Sequence, residues 1–210
     1  MIPLVLASAS PARLTTLTHA GVQPEVIVSS VDEEAALAAV RERQADLEPA
    51  DVALTLAQAK CEDVVREHDP EALVLGCDSV LELDGEIHGK PGTSQVAVER
   101  WRRMRGRTGL LHTGHWVVDN RDEEDGGTGA TLGATSTTTV HFADLSDAEI
   151  SAYVATGEPL QVAGAFTVDG LGGAYVTGVE GDHHGVVGVS LPLLRELLLE
   201  LDVVWHDLRA

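Results

Sequence analysis

The chain has 210 residues, a formal net charge of −20 at pH 7 and only 3% aromatic residues. That length suits one large domain, and with so few aromatics its core falls to Val, Leu and Ala. The charge argues against a nucleic-acid duplex or an anionic membrane as partner, whereas a small polyanion would need a local positive pocket and a divalent ion as bridge.

Two cysteines, Cys61 and Cys77, make no disulfide framework and fit a reducing compartment; Cys77 reads as a small buried hydrophobe. Residues 1–6 lack a basic region, and no uncharged apolar run is long enough to span a bilayer, so a cytoplasmic protein is expected. Residues 2–7 read as a short buried strand. Ser8-Ala9-Ser10 follows, then a helix over 12–19 with Ser10 as N-cap, Pro11 at the first helical position and Gly21 as terminator. A second strand is expected at 25–29, and the Ala-rich stretch 32–43 reads as helical. Pro49 opens a longer helix to 68, with Leu54, Ala57, Cys61 and Val64 or Val65 on one face. Residues 72–77 form another apolar strand, and 80–88 a hairpin around Asp84-Gly85. A helix over 93–105 carries Arg100, Arg102, Arg103 and Arg105. Residues 110–119 and 134–142 read as paired strands joined by a charged, then Gly-rich loop over 120–129. Ser146-Asp147-Ala148-Glu149 is a capping box opening a short helix to 156. The Gly-rich section 163–181 has strand-like pieces at 166–168 and 174–179, and the last helix runs from Ser190 or Pro192 to 201. The nine histidines show no metal-type spacing, and His183-His184 reads as an exposed loop with diverging side chains. Strands alternating with helices, plus hairpins, predict an α/β fold with a mixed sheet.

Four places could carry chemistry. Only two lysines occur, Lys60 and Lys90, against twelve arginines. An ammonium kept where arginine is the general cation suggests a need for a compact point charge. Lys60 lies near the apolar stripe of its helix, an odd position unless it faces a cleft, and Lys90 is held extended by Pro91. The strand-to-helix turn Ser8-Ala9-Ser10 presents helix N–H groups to an anion, with Arg13 in reach as a planar fork. Val31-Asp32-Glu33-Glu34 offers a metal ligand, or is a solvated helix start favoured by the dipole. Asp78, ending the apolar run Leu73-Val74-Leu75-Gly76-Cys77, suits a general base or metal ligand, or a cap for the segment after it.

In order and spacing these pieces resemble the Maf family of nucleoside triphosphate pyrophosphatases. The resemblance rests on Leu6-Ala7-Ser8-Ala9-Ser10-Pro11-Ala12-Arg13-Leu14, Val31-Asp32-Glu33, Ala57-Gln58-Ala59-Lys60, Gly76-Cys77-Asp78-Ser79-Val80, Gly89-Lys90-Pro91, Thr113-Gly114 and Ala163-Gly164-Ala165-Phe166. It implies one domain over 1–210, a mixed twisted sheet with two lobes around a deep cleft. The implied reaction is metal-dependent hydrolysis of a non-standard or excess nucleoside triphosphate to the monophosphate and pyrophosphate. By the same resemblance Asp78 is the catalytic acidic residue, as base or as metal ligand. Ser8, Ser10, Arg13, Lys60 and Lys90 hold the triphosphate, and Glu33 with Asp78 holds Mg²⁺ or Mn²⁺. Three base-pocket positions are Ala12, Ser79 and Asp169, a set unlike those of the thymidine/uridine and 7-methyl-GTP branches. Arg105 and Gly109 stand where Ser and His are common, and Gly185 where Asn is usual. The alternative is a nucleotide-binding regulator of septum formation without turnover. A nucleotide-sugar transferase is a third reading, weakened by the missing Asp-x-Asp. A homodimer is compatible with the chain, but nothing in it specifies one.

Overall fold

The computed structural model describes residues 1–42, 44 and 46–209. Strands β1 (Leu4–Ala7), β2 (Glu25–Val26), β3 (Leu73–Leu83), β4 (Glu86–His88), β5 (Thr108–Asp119), β6 (Thr131–Phe142) and β7 (Val176–Glu180) join in one sheet. The order is β2-β1-β3-β5-β6-β7, with β4 also on β3. β1 runs parallel to β2 and β3, and every other pairing is antiparallel, so the sheet is mixed as expected. The helices are α1 (Pro11–His19), α2 (Glu33–Arg41), α3 (Pro49–His68), α4 (Ser94–Met104), α5 (Asp147–Ala155), α6 (His183–Val187) and α7 (Leu191–Glu200). Among the described residues no helix is long and apolar enough to cross a membrane.

Successive residues of β3 face opposite sides of the sheet, which gives the strand three packing partners. Leu73, Leu75 and Cys77 pack with Leu17 of α1 and Leu194, Leu197 and Leu198 of α7. Further along the same face, Leu81 and Leu83 pack with Ala97, Trp101 and Met104 of α4 and Ile150 and Tyr153 of α5. The other face takes α3: Val74 meets Cys61 and Val64, and Val80 meets Val52 and Leu56. Helix α3 lies unusually close. A Cβ on Gly76 would fall 2.2 Å from the Ala57 carbonyl oxygen, and one on Gly114 2.4 Å from that of Ala53. The few aromatics are not spread thinly. Trp101 makes edge contacts with Phe142, Tyr153 and Tyr175, and Phe142 with Phe166, so one of the clusters has an aromatic centre.

Several elements differ from the sequence reading. The strand does not end with the apolar run at 72–77; β3 continues to Leu83, because Asp78 to Glu82 go on pairing with Gly114 to Leu110 of β5. β2 is two residues long, since its residues are exposed and pair with only one neighbour. The stretch 166–168 is no strand: it lies in a loop between 3-10 turns at Ala163–Ala165 and Leu171–Tyr175. The segment 183–184 is the start of α6 rather than a loop, capped by Asp182, whose carboxylate accepts from the His184 and Gly185 amides. Asp32 caps α2 through the Ala35 amide, and the expected end of that helix at Arg43 lies outside the described residues. Helix α3 has the expected bounds, and the β3–β4 hairpin turns at Asp84-Gly85, both with φ positive (56° and 78°).

Candidate active site

Strand pairing creates the site. On one edge of β3, β1 covers Leu73–Gly76 and β4 covers Leu81–Leu83. Between them Cys77–Val80 has no strand partner on that side among the described residues. A cavity of about 800 Å³ opens at this gap, in the size range of small-molecule sites. It lies beyond the carboxyl end of β1, the usual place for a ligand where an open α/β sheet divides.

Ser8, Ser10, Ala12, Arg13, Glu33, Lys60, Asp78, Ser79, Lys90 and Asp169 all line this cavity. Every site residue named from the sequence is therefore brought to one place, although they span 161 positions of chain from Ser8 to Asp169. Lys60 projects from α3 and binds two carboxylates, Glu33 at 2.8 Å and Asp78 in a shorter contact. Lys60 and Asp78 side chains are 13% and 14% exposed, against 52% for Glu33, so two members of this trio are largely withdrawn from water. The close approach of α3 at Gly76 is what carries Lys60 to Asp78.

Arg13 is nearly buried, and its guanidinium is tied to the protein on three sides. Nε donates to the Gly188 carbonyl at 2.9 Å, Nη1 to Ser8 Oγ at 2.9 Å and Nη2 to Ser79 Oγ at 3.1 Å. The chain of hydroxyls continues. Thr113 Oγ1 donates to the Gly185 carbonyl at 2.8 Å, which leaves it to accept from Ser79 Oγ at 2.9 Å. Ser79 is thus engaged by Arg13 on one side and Thr113 on the other, and it organises the wall rather than offering a free hydroxyl. Thr113 is fully buried, and its part in this chain was not legible in the sequence.

Ser10 is the N-cap of α1, but its side chain makes no capping bond, and Pro11 has no N–H, so the Ala12 and Arg13 amides are left to the cavity. Lys90 sits in a turn held by the protein backbone. Gly164 N donates to the Gly89 carbonyl, Gly92 N to the Leu160 carbonyl, and Arg100 also binds the Gly89 carbonyl. Phe166, Thr167, Val168 and Asp169 complete the wall. The backbone ahead of them turns at Ala165 (φ 64°), whose carbonyl accepts from Trp101 Nε1 at 2.8 Å.

Both cysteines are buried, and burial pushes each thiol up to about 12, so neither is a nucleophile here. His115 is fully buried behind the site. Burial lowers it to about 4, and its ring is fixed between the Thr113 carbonyl at Nδ1 and the Ser190 amide at Nε2. The expectation that His183 and His184 diverge is corrected. Their ring centroids are 3.8 Å apart, and with Asp182 they bring three ligand-type atoms within 4.8 Å of one another. Asp182 is nevertheless committed to the α6 cap and to His184 Nδ1.

The sequence profile described as Maf-like protein matches residues 3–201. A relative named nucleoside triphosphate pyrophosphatase from Leifsonia xyli is 50% identical over 208 residues, covering 98% of this chain and 95% of its own. One from Salinispora tropica is 54% identical over 204 residues, covering 95% and 84%. A solved structure titled "The structure of the Staphylococcus aureus Ham1 protein" aligns with 68% of this chain and 72% of its own at 16% identity and a TM-score of 0.40, too slight a likeness to bear on function. Half of the residues are shared along almost the full length with proteins of one name, and the profile spans the sheet and every cavity residue above, so the chain belongs to the Maf family.

Proposed function

We propose that the cavity hydrolyses a nucleoside triphosphate to the monophosphate and pyrophosphate. The observation that carries this reading is the pair of carboxylates, Glu33 and Asp78, closing on one cation beside Lys90 and the start of α1. An acidic protein places both of its lysines and Arg13 around one cavity, where they offset Glu33, Asp78 and Asp169, so the lining is formally neutral in a chain of net charge −20 and a divalent ion would add the positive charge a triphosphate needs.

Ser8, Ser10, the first amides of α1 and Lys90 hold the phosphate chain, and Arg13 keeps Ser8 and Ser79 in register. Asp78 takes the proton from water as its oxygen bonds to the α-phosphorus. The bond from that phosphorus to the bridging oxygen breaks, and pyrophosphate leaves against the cations. Glu33 and Asp78 are a hard oxygen donor set suited to Mg²⁺ or Mn²⁺, and they already converge on a cation. When bound, the divalent ion neutralises charge on the phosphates. The Lys60 ammonium has three N–H donors, of which two meet Glu33 and Asp78, so the third can meet a phosphate, and a divalent ion on the two carboxylates would release the others to it. Asp169, when ionised, only accepts hydrogen bonds, which matches the N1–H and N2–H₂ edge of guanine, and Ala12 leaves room beside it.

The test is pyrophosphate release from a panel of standard and modified nucleoside triphosphates with Mg²⁺ or Mn²⁺, beside Asp78→Asn. Metal-dependent release that falls about a thousandfold or more in the variant is expected. Nucleotide binding without release from any member would replace this reading with that of a regulator.

A further inference from the structure

Glu158 lies just after α5, in a 3-10 turn of four residues (Glu158–Gln161). It does not line the cavity, and in so acidic a chain nothing about its residue type sets it apart. Its carboxylate nevertheless collects four donors. Oε1 accepts from Tyr153 Oη at 2.9 Å, Thr167 Oγ1 at 2.5 Å and Gly172 N at 2.9 Å, and Oε2 accepts from Leu171 N at 2.9 Å. Burial raises its pKa, but the bonds from Thr167, the two amides and Tyr153 outweigh that and hold the group below the usual carboxylate range.

These donors bracket the residues that face the ligand. Thr167 lies on one side of Val168-Asp169-Gly170 and Leu171-Gly172 on the other, so the loop closes around the carboxylate with Asp169 at its turn. The two glycines are there for closeness. A Cβ on Gly170 would fall 2.6 Å from Glu158 Oε2, and one on Gly172 2.4 Å from Tyr153 Oη. Phe166, at the root of the loop, is set by its edge contact with Phe142, ring centroids 5.0 Å apart. The phosphate end is held differently: the Lys90 turn is fixed by backbone bonds from Leu160 and Gly164 and by Arg100, none through the Glu158 carboxylate.

We propose that Glu158 is a positioning residue for base selection, its carboxylate fixing the Thr167–Gly172 loop so that Asp169 meets the donor edge of a purine at one place. This rests on the nucleotide-hydrolysing reading above. A carboxylate is acceptor-only, and Gln would turn an NH₂ group toward the donors it must accept from. The favoured substrates are triphosphates of bases with an N–H edge, guanine or hypoxanthine in type. ATP, whose corresponding edge has an acceptor at N1, is disfavoured.

The experiment compares kcat and KM for GTP, ITP, ATP and UTP in the wild type, Glu158→Gln, Asp169→Asn and the double variant, with the inhibition constant of inorganic tripolyphosphate measured alongside. In Glu158→Gln the ratio of kcat/KM between the best and second-best nucleotide is expected to fall about tenfold, mainly through KM. Tripolyphosphate inhibition stays within about twofold, and the double variant is no less selective than Asp169→Asn alone. Thr167→Val, which removes one donor, shifts the ratio in the same direction by less and serves if Glu158→Gln does not fold. An unchanged ratio, a uniform fall in kcat for all four nucleotides, or additive effects of the two substitutions would overturn the proposal. If no nucleotide is hydrolysed, the reaction above fails, and the same ratios are read as dissociation constants by calorimetry.

Discussion

Arg13 donates to three separate segments of chain, the turn after β1, the middle of β3 and the end of α6, so all three nitrogens of its planar fork are engaged through three of its five N–H groups. Arg13→Lys keeps the charge and loses the fork. It leaves buried acceptors without donors, and we expect about 2 kcal/mol or more of destabilisation in urea unfolding, with a lower kcat/KM. Lys60 makes the opposite case, since a flexible ammonium can exchange partners. In Lys60→Met the two carboxylates lose their internal cation. Mn²⁺ affinity of the nucleotide-free protein, read by calorimetry, should then rise about tenfold or more, and nucleotide affinity should fall. Equal Mn²⁺ affinity in the two proteins would show that the ammonium does not occupy the ion's place. The residue types of this site were legible: a strand acid, two rare lysines and a serine turn. What each type does was less so. Ser79 resembles a pocket hydroxyl in the sequence, yet Arg13 and Thr113 engage it fully. Glu158 resembles any surface acid because its four donors lie 5 residues before it and 9 to 14 after it.

At the scale of elements, the approach of α3 to the sheet decides the site. Gly76→Ala would set a methyl against the Ala57 carbonyl, and backbone rather than a flexible side chain would have to move. We expect a loss of about 3 kcal/mol in unfolding free energy and a fall in kcat, because the shift carries Lys60 away from Asp78. The α5 capping box offers a contrast. Ser146→Ala removes the bond that the hydroxyl accepts from the Glu149 amide and the one it donates to the Glu149 carboxylate, while the reciprocal bond from the Ser146 amide to that carboxylate stays; the loss is worth about 1 kcal/mol and should leave kcat unchanged, since this cap faces solvent away from the cavity. Caps and periodicity are local, which is why α3, α5 and the Asp84-Gly85 hairpin could be read from the sequence. The segment 166–168 could not. Its alternation suits a strand, but the Thr167 hydroxyl is drawn to Glu158 and the segment pairs with no neighbouring strand.

For the whole molecule, pH stability depends in part on His115. Its ordinary value is 6.5 and its folded value about 4, because charging it means placing a cation in a dry interior. Well above pH 6.5 the ring is neutral in both states and this stability is complete. As pH falls from 6.5 toward 4 the unfolded chain takes up the proton first, and about 3 kcal/mol is lost by the time the folded ring is also charged. Urea unfolding across that window should show this decline, and His115→Gln should flatten it. The net charge acts over the same scale. With −20 on the chain, screening by about 0.5 M NaCl should raise the melting temperature above its value at about 0.05 M, a trend that paired surface charges alone would reverse.

The sequence by itself determined the composition of the core, most helices with their caps, the mixed character of the sheet and the family to which the chain belongs. These come from short-range chemistry and from the order of motifs, both of which survive in one dimension. Only the tertiary structure decided that β1 and β4 leave Cys77–Val80 uncovered on one edge, that Gly76 lets α3 bring Lys60 to Asp78, and that Glu158 gathers the loop carrying Asp169. Each of these is a meeting of groups distant along the chain. Such meetings depend on how strands pair and how closely a helix lies on them, and no spacing along the sequence records that distance.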